Sequence, residues 1–260
     1  MKKISYPEIK DKIVAFISST VSGSGANGAI IGLSGGIDST LTAYLAVCAL
    51  GKENVLGLML PEKGVSPQKD IDDALQVART LGIEYKIIEI SPVLASFSCV
   101  IPVFDRMDKT ANGNLKARTR MCILYYYANL MGRMVIGTGN KTELLLGYFT
   151  KYGDGGVDIE PIGDLYKTQV REMSGFMGIP SGIIKKTPTA GLWPGQTDES
   201  ELGVSYEMAD RILIMLIDEK KDISDIKSKF PPEIVNKLAA RISSSRHKRI
   251  PPPVIGILNP

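Results

Sequence analysis

The chain has 260 residues, of which 44% are hydrophobic and 23% charged, as in ordinary globular proteins. Its net charge of +3, from 31 basic and 28 acidic residues, is too small to indicate a nucleic-acid or membrane-surface partner. The N-terminus lacks an apolar signal core and no segment reaches membrane-spanning length, so we expect a cytoplasmic protein. Three separated cysteines in apolar surroundings, Cys48, Cys99 and Cys122, predict buried free thiols in a reducing compartment.

Predicted helices and strands alternate through the first part of the chain. The strands are predicted over 29–33, 55–60, 85–90 and 134–137, and the helices over 6–21, from 38, over 67–81, from 92 and over 114–131. This alternation predicts an α/β fold with a doubly wound parallel sheet, covered by helices on both faces. Later helical segments over 205–216, 223–229 and 232–242 predict a small C-terminal helical region.

The first predicted strand ends at a glycine-rich turn, 34–39, that leads into a helix. Glycines allow a ligand to approach the backbone, and the N–H groups at a helix start attract anions. Asp38 would repel a bare phosphate, so its presence indicates a bridging divalent cation. The turn matches neither the P-loop, since no lysine follows, nor the dinucleotide fingerprint, since the glycine spacing differs. An ordinary strand–helix turn with Asp38 near the helix start is the simpler alternative.

A second strand-to-helix corner follows residue 137, and we expect it at the same edge of the sheet. Asn140 with Glu143 three residues later is a capping-box pattern. Glu143 could instead supply an oxygen ligand to a cation beside Asp38. On spacing alone, the cap is the better explanation.

The helix predicted over 114–131 is apolar in its second half, which predicts burial. Its first turns carry Lys116, Arg118 and Arg120, and cations at a helix start oppose the helix dipole. Solvated surface charge is one explanation. We favour a bound anion beside at least one of the arginines.

Four later features are candidates for function. The irregular segment 147–158 is rich in glycine, charge and aromatic residues, which favours a binding loop. Lys167 begins a predicted helix and is most simply a surface charge. Segment 187–198 contains the only tryptophan, Trp193, which either closes on a flat group or anchors the loop. The basic tail 245–249 is most simply solvated.

Together these motifs resemble the ammonia-dependent NAD+ synthetases, members of the ATP pyrophosphatase superfamily, which share the S-G-G-x-D-S turn. The matching blocks are 32–39, 116–121, 137–143, 147–158, 186–192, 198–203 and 247–249. The resemblance implies a Rossmann-like ATP pyrophosphatase fold. It also implies a single domain with an N-terminal helix and linker (1–28), a nucleotide-binding core (29–180), and a lid loop, helices and basic tail (181–260).

In that family, ATP activates the nicotinate carboxylate of deamido-NAD+ as an acyl-adenylate, and pyrophosphate is lost. Ammonia then attacks, giving NAD+ and AMP. Because about 28 residues precede the glycine turn, too few for an amidase domain, we expect free ammonia as the nitrogen source. The resemblance further implies a homodimer, and a closing lid for which the Trp193 loop is the candidate.

The resemblance also assigns site residues, with Mg2+ held by Asp38 and Glu143, and catalytic roles for these two and Lys167. It therefore favours the metal role of Glu143 over the cap. The ATP-binding residues would be Gly32, Leu33, Ser34, Gly35, Gly36, Ile37, Asp38, Ser39, Thr138, Lys167 and Thr189. The deamido-NAD+ contacts would be Arg118, Lys151, Asp158, His247 and Lys248.

Two other functions stay open at the level of sequence. Another amidating or thiolating ATP pyrophosphatase would be expected to show a stronger basic surface or metal-binding cysteine pairs. A non-catalytic adenine-nucleotide sensor would need the phosphate turn alone, and it would leave Arg118 and Lys151 unexplained.

Overall fold

The computed structural model describes residues 5–193 and 195–255. Its four strands are β1 (Ala29–Gly32), β2 (Val55–Met59), β3 (Glu84–Ile87) and β4 (Met134–Ile136). They form one parallel sheet in the order β3-β2-β1-β4. The chain runs outward from β1 to β3 and then returns to the other side of β1 with β4. Ligands of open α/β sheets bind where the strand order reverses in this way, which here is between β1 and β4.

Twelve α-helices surround the sheet or extend beyond it in the described part of the chain. They are α1 (Tyr6–Gly23), α2 (Ile37–Leu50), α3 (Gln68–Leu81), α4 (Ser91–Val100), α5 (Lys109–Met131), α6 (Lys141–Leu146), α7 (Lys167–Phe176), α8 (Ser181–Ile184), α9 (Asp198–Leu202), α10 (Tyr206–Leu213), α11 (Ile223–Lys227) and α12 (Pro232–Ser244). Short 3-10 turns lie at Lys52–Asn54 and Arg246–Lys248, and a π-helical turn, Ile214–Asp218, follows α10.

Both faces of the sheet are covered, as the doubly wound prediction requires. Successive residues of a strand point to opposite faces. Accordingly, Ile31 belongs to a core with residues of α1, α2, α3 and α7, whereas Ile30 belongs to a second core with residues of α4 and α5. A third core joins α6 to the helices from α9 to α12, with Leu213, Val235 and Leu238 fully buried. The predicted α/β class and C-terminal helical region are therefore confirmed.

The third strand is shorter than the predicted 85–90. Regular pairing ends at Ile87, although the N–H groups of Ile88 and Ile90 still donate to the carbonyls of Met59 and Pro61. Pro61 accepts a hydrogen bond from this segment but has no N–H group to donate one in return, so regular strand pairing stops here.

The long helix α5 begins at Lys109, ahead of the predicted start at 114. The Asp108 carboxylate accepts a hydrogen bond from the Ala111 N–H at 2.9 Å and caps the helix. The helix dipole acts mainly within the first turn, so it does not act directly on the basic residues farther along. The dipole mismatch predicted for Lys116, Arg118 and Arg120 is therefore wrong.

The predicted burial of the second half of α5 is also wrong for its outer face. Cys122, Tyr126 and Leu130 recur every four residues and form an exposed stripe, with 66% of Tyr126 and 69% of Leu130 accessible. An apolar composition indicates that a helix face needs a partner, but it does not say that the same chain supplies one.

The cysteines are exposed and free, so the prediction of buried thiols is wrong. Cys48, Cys99 and Cys122 lie on the outward sides of α2, α4 and α5. Apolar neighbours in sequence do not decide burial on a helix, because the helix turns by about 100° per residue and places adjacent residues on different sides. Within the described ranges, no helix is both long and apolar enough to cross a membrane.

Candidate active site

The first corner, between β1 and α2, forms a backbone cradle. Gly35 adopts a left-handed conformation with φ of +76°, and a Cβ at this position would overlap the Asp70 carbonyl, so glycine is required. The Ser34 and Ser39 hydroxyls lie 3.0 Å apart, and the Gly36 N–H donates to the Ser34 hydroxyl. No side chain caps the start of α2, so its N–H groups stay free to bind an anion.

A lysine from a distant segment supports this cradle. The Lys186 ammonium donates to the Gly35 carbonyl at 2.8 Å and to Asp70 at 2.9 Å, and it also pairs with Asp73. Lys186 therefore joins the cradle to α3 and to the beginning of the 187–198 segment. Sequence reasoning missed this role because no local pattern connects residues 151 positions apart.

The two corners meet at a buried lysine. The Lys167 ammonium lies 2.5 Å from Asp38 Oδ2 and 3.1 Å from Glu143 Oε1, and only 2% of the side chain is exposed. Asn140 Nδ2 donates to Asp38 Oδ1 at 2.9 Å. The interpretation of Lys167 as a surface charge is therefore wrong, because β1 and β4 are neighbours and bring their corners together around it.

Glu143 forms the cap predicted from its spacing and keeps its other carboxylate oxygen on the side of Lys167. Its Oε2 accepts the Asn140 N–H at 3.3 Å, and Asn140 Oδ1 accepts the Glu143 N–H at 3.0 Å. The predicted capping box is thus present. The other oxygen, Oε1, faces Lys167, so the cap leaves it available for the site.

Burial and charge act in opposite directions in this cluster. Burial alone favours the neutral form of Lys167, but the carboxylates of Asp38 and Glu143 outweigh it and raise the pKa of Lys167 above its usual value. Burial raises the pKa of Glu143, with Lys167 opposing and Asp38 adding to the shift. Lys167 therefore stays positively charged between the acidic side chains of Asp38 and Glu143.

The Asp38 and Glu143 carboxylates fit a shared magnesium ion. Both have an oxygen within 3.1 Å of the same nitrogen, so a single small cation can lie near both. Mg2+ is usually held by one or two carboxylates together with substrate phosphates. In the described ranges no three His, Cys, Asp or Glu side chains group as a metal site.

A second layer of side chains surrounds Lys167. The Asp198 carboxylate, 4% exposed, accepts hydrogen bonds from the Tyr206 hydroxyl at 2.9 Å and the Tyr148 hydroxyl at 3.1 Å. The Lys167 ammonium lies 5.1 Å from the centre of the Tyr206 ring, within cation–π distance. Tyr148 also donates to Glu201. No local pattern shows that these side chains form one layer, because the tyrosines and carboxylates come from separate segments.

The predicted binding loop and the basic tail lie against each other. Arg118 donates to the Lys151 carbonyl at 3.3 Å, and the Lys151 ammonium donates to the His247 carbonyl at 2.7 Å. Lys248 donates to the carbonyls of Gly147 and Phe149, at 2.8 and 2.7 Å. The tail is therefore docked, and its interpretation as a solvated segment is wrong.

Asp158 lies beside a cavity of about 400 Å³ next to this loop. The polar lining comes from Asp158, Glu160, Lys248 and Arg249. One Asp158 oxygen accepts the Val135 N–H at 2.7 Å, and the other accepts the Tyr125 hydroxyl at 3.0 Å. Asp158 thus ties the loop to β4 and α5 at the cavity wall.

Segment 187–198 is docked on α5. Lys116 donates to the Leu192 carbonyl at 2.8 Å and pairs with Glu62 at 2.8 Å. A Cβ on Gly113 would lie 3.3 Å from the Trp193 ring, so this glycine allows close packing. These contacts favour the anchoring interpretation of Trp193 in the present conformation.

The two predicted threonines differ in position. Thr138 is half-buried in the second corner, between Gly137 and Gly139. Thr189 is exposed, and its hydroxyl accepts the Gly191 N–H at 3.1 Å within its own loop. The structure therefore brings Thr138 to the corners but keeps the Thr189 hydroxyl engaged locally.

Comparisons with known proteins agree with this geometry. The family model for NAD synthase matches residues 9–252. The NH(3)-dependent NAD(+) synthetases of Methanococcoides burtonii and Methanosarcina mazei are 53% and 51% identical, covering 95% and 94% of this chain and 94% and 96% of theirs.

Two solved structures are also similar over nearly the whole chain. The NMN synthetase of Francisella tularensis is 36% identical with a TM-score of 0.87, covering 98% of this chain and 100% of that one. The NH3-dependent NAD synthetase of Campylobacter jejuni is 34% identical with a TM-score of 0.83, covering 97% and 100%. A family model spanning most of the chain, together with these full-length similarities, shows that this chain belongs to the NAD synthase family.

Proposed function

We propose that this protein is a ligase that converts deamido-NAD+ to NAD+, using ATP and free ammonia. The observation that carries the proposal is the buried Lys167, which two carboxylates hold between the corners at the switch point of the sheet. A glycine cradle, two carboxylates and a lysine suit an attack on the α-phosphate of ATP. The names of the closely similar relatives agree with this reaction.

ATP would lie across the first corner, with its phosphates against the free N–H groups of α2. Residues 32–39 would surround the phosphates, and Thr138 would approach from the second corner. Lys167 would neutralise negative charge that develops as the acid attacks and pyrophosphate leaves. For Thr189 to reach the nucleotide, its loop would need to change its present hydrogen bonding.

Asp38 and Glu143 would hold the magnesium ion. When bound, Mg2+ supplies charge neutralisation of the triphosphate and orients it for displacement. Asn140 keeps Asp38 in place through its side-chain amide, while the capping box fixes Glu143. Both ligands are therefore oriented before the metal binds.

Deamido-NAD+ carries a pyrophosphate and a carboxylate, and both need cationic partners. Three cations, Arg118, Lys151 and Lys248, lie around one loop and donate to backbone carbonyls. They could bind the substrate's anionic groups by donating to its oxygens instead. His247 and Asp158 complete the proposed contacts. The binding loop 147–158 would thus hold the acid beside the phosphate corners.

The main alternative within this chemistry is a shorter acid substrate, a mononucleotide in place of the dinucleotide. The Francisella tularensis structure is titled an NMN synthetase, so a mononucleotide acid is a second candidate substrate. The more similar relatives, at 53% and 51% identity, are named for NAD+, and they favour the dinucleotide.

One coupled assay separates these possibilities. The protein is incubated with ATP, Mg2+ and ammonia, and with either deamido-NAD+ or nicotinate mononucleotide, while AMP and the amide product are measured. Our proposal requires AMP and NAD+ in equal amounts and a preference for the dinucleotide. Nucleotide binding without AMP would indicate a sensor, and AMP formation only with a different acceptor would indicate another ATP pyrophosphatase.

We also propose a homodimer located in the cytoplasm. Val103 and Met107, which precede α5, are 87% and 84% exposed and add to the apolar surface of the α5 stripe. A second copy of the chain can cover such a surface by two-fold symmetry. Light scattering of the purified protein tests this, and Tyr126→Glu should yield monomers if the stripe is the interface. Free exposed thiols suit a reducing compartment.

A further inference from the structure

The Glu160 carboxylate is not among the proposed contacts to ATP, Mg2+ or deamido-NAD+. Its Oε2 accepts the Gly139 N–H at 2.9 Å. A Cβ on Gly139 would come within 3.1 Å of the same carboxylate, and one on Gly137 would overlap it. Glu160 therefore lies directly against the second corner, on both sides of Thr138.

The same side chain lines the cavity beside the binding loop. The other polar groups there already have partners, because both Asp158 oxygens accept hydrogen bonds and Lys248 donates to two carbonyls. Among the described residues, the hydrogen bond to the Glu160 carboxylate comes from Gly139 alone and leaves Oε1 unengaged. Glu160 thus presents an unengaged oxygen where the phosphate corner meets the proposed site of the acid.

The surroundings of Glu160 raise its pKa, so that its ionised form is a stronger proton acceptor than an ordinary carboxylate. Burial raises the pKa of Glu160 to about 8, the Gly139 N–H opposes the shift, and the carboxylates of Glu143 and Asp154 add to it. Lys248 and Arg249 are the cations on the same cavity wall. An acceptor is most effective when its pKa lies close to the working pH.

We propose that Glu160 binds ammonium in this cavity and accepts its proton, which releases ammonia beside the activated acid. The inference rests on the proposed function. An N–H bond of ammonium breaks and its proton moves to the Glu160 carboxylate. The nitrogen lone pair then forms the C–N bond to the acyl carbon, the C–O bond to AMP breaks, and AMP leaves with that electron pair. The amine nitrogen loses one further proton to solvent.

The variant Glu160→Gln separates this role from a structural one. Glutamine keeps an oxygen that can accept the Gly139 N–H, but it cannot take a proton. Exchange of labelled pyrophosphate into ATP, measured with deamido-NAD+ and without ammonia, reports only the first half of the reaction. We expect exchange to be preserved, while ammonia-dependent NAD+ formation at about pH 8, where Glu160 becomes ionised, falls by about 100-fold, as for a lost general base.

Two further measurements sharpen the result. The defect should grow as Glu160 ionises around pH 8 and should shrink at higher pH, because unprotonated ammonia becomes available without the carboxylate. Hydroxylamine, largely uncharged at neutral pH, should react equally well with both proteins. Glu199→Gln is the matched control, since Glu199 is also a half-buried carboxylate that accepts a backbone N–H, from Tyr206 at 3.0 Å.

A parallel loss of exchange and NAD+ formation would mean that Glu160 only shapes the corner, and this would overturn the inference. Unchanged NAD+ formation, or a defect that does not vary with pH, would overturn it as well. If the wild-type protein showed no exchange, the proposed function itself would fail. The exchange assay of the wild type thus distinguishes the two failures.

Discussion

The two halves of the candidate site are held together in different ways. In the phosphate half, Asp38, Asn140, Glu143 and Lys167 bind one another through side chains at a buried position. In the acid half, the cations donate to backbone carbonyls of a loop and a tail. The first arrangement is already paired within the protein, whereas the proposed role of the second would require its cations to leave backbone carbonyls for substrate oxygens.

This difference predicts where substitutions will act. Removing one member of a buried ion cluster leaves uncompensated charge and typically costs about 3–5 kcal/mol. A hydrogen bond from a charged group to a neutral partner contributes about 1.5–3 kcal/mol. Changes in the phosphate half should therefore reduce stability and catalysis together. Changes in the acid half should mainly alter the binding of one substrate.

The largest effect is expected for Lys167→Met. The substitution leaves Asp38 and Glu143 facing each other without their shared cation and removes charge stabilisation from the reaction. We expect kcat to fall by about 100- to 1,000-fold, with a lower melting temperature that added Mg2+ partly restores. Thermal unfolding and AMP formation, each measured over a range of Mg2+ concentrations, test this.

Lys69→Met is the control for Lys167→Met, since the Lys69 side chain is largely exposed where it pairs with Asp73 on α3. It should leave both measurements close to those of the wild type. A Lys167→Met protein with wild-type kcat would contradict the catalytic role of the lysine. A melting temperature indifferent to Mg2+ would contradict the shared-ion geometry.

A smaller effect is expected for Lys186→Met, which acts on the phosphate loop through the Gly35 carbonyl. The loop would lose its tie to Asp70 and α3, so ATP should bind less tightly while bound substrates still react. We expect KM for ATP to rise by about tenfold, the equivalent of 1.4 kcal/mol, with little change in kcat. Steady-state kinetics at saturating acid measure this, and Lys185→Met, a neighbouring exposed lysine, is the control.

The smallest of these effects is expected for Lys151→Met in the acid half. Its ammonium donates to the His247 carbonyl and lies 5.1 Å from the Tyr152 ring centre, close to the surface. We expect KM for deamido-NAD+ to rise by about threefold, while KM for ATP and the melting temperature stay near wild-type values. A rise in KM for both substrates would show that the two halves are not held separately.

The sequence was sufficient for those features that depend on neighbouring residues. The strand–turn–helix corners, the helix that ends at Gly82 and the Asn140–Glu143 capping box all follow from local patterns, and all are present. The doubly wound sheet follows from their alternation. These predictions succeeded because backbone conformation and helix capping are decided within a few residues.

The remaining features depend on contacts between distant residues. Lys167 and Asp38 are 129 residues apart, and nothing near Lys167 in the sequence shows that it becomes buried. The start of α5 was misplaced because Asn112 and Gly113 are weak helix formers, whereas the Asp108 cap and tertiary packing override that preference. The exposed stripe of α5 has an apolar composition, which does not reveal whether the chain covers it.

The most direct test of the account is the Mg2+ dependence of AMP formation by wild type and Glu143→Gln. Glutamine can retain the cap to the Asn140 N–H through its amide oxygen while the charge of the proposed metal ligand is lost. We predict that the variant folds normally, requires at least about tenfold more Mg2+ for half-maximal activity and has a lower kcat. Superimposable Mg2+ curves would show that Glu143 only caps α6 and would contradict a metal site shared by the two corners.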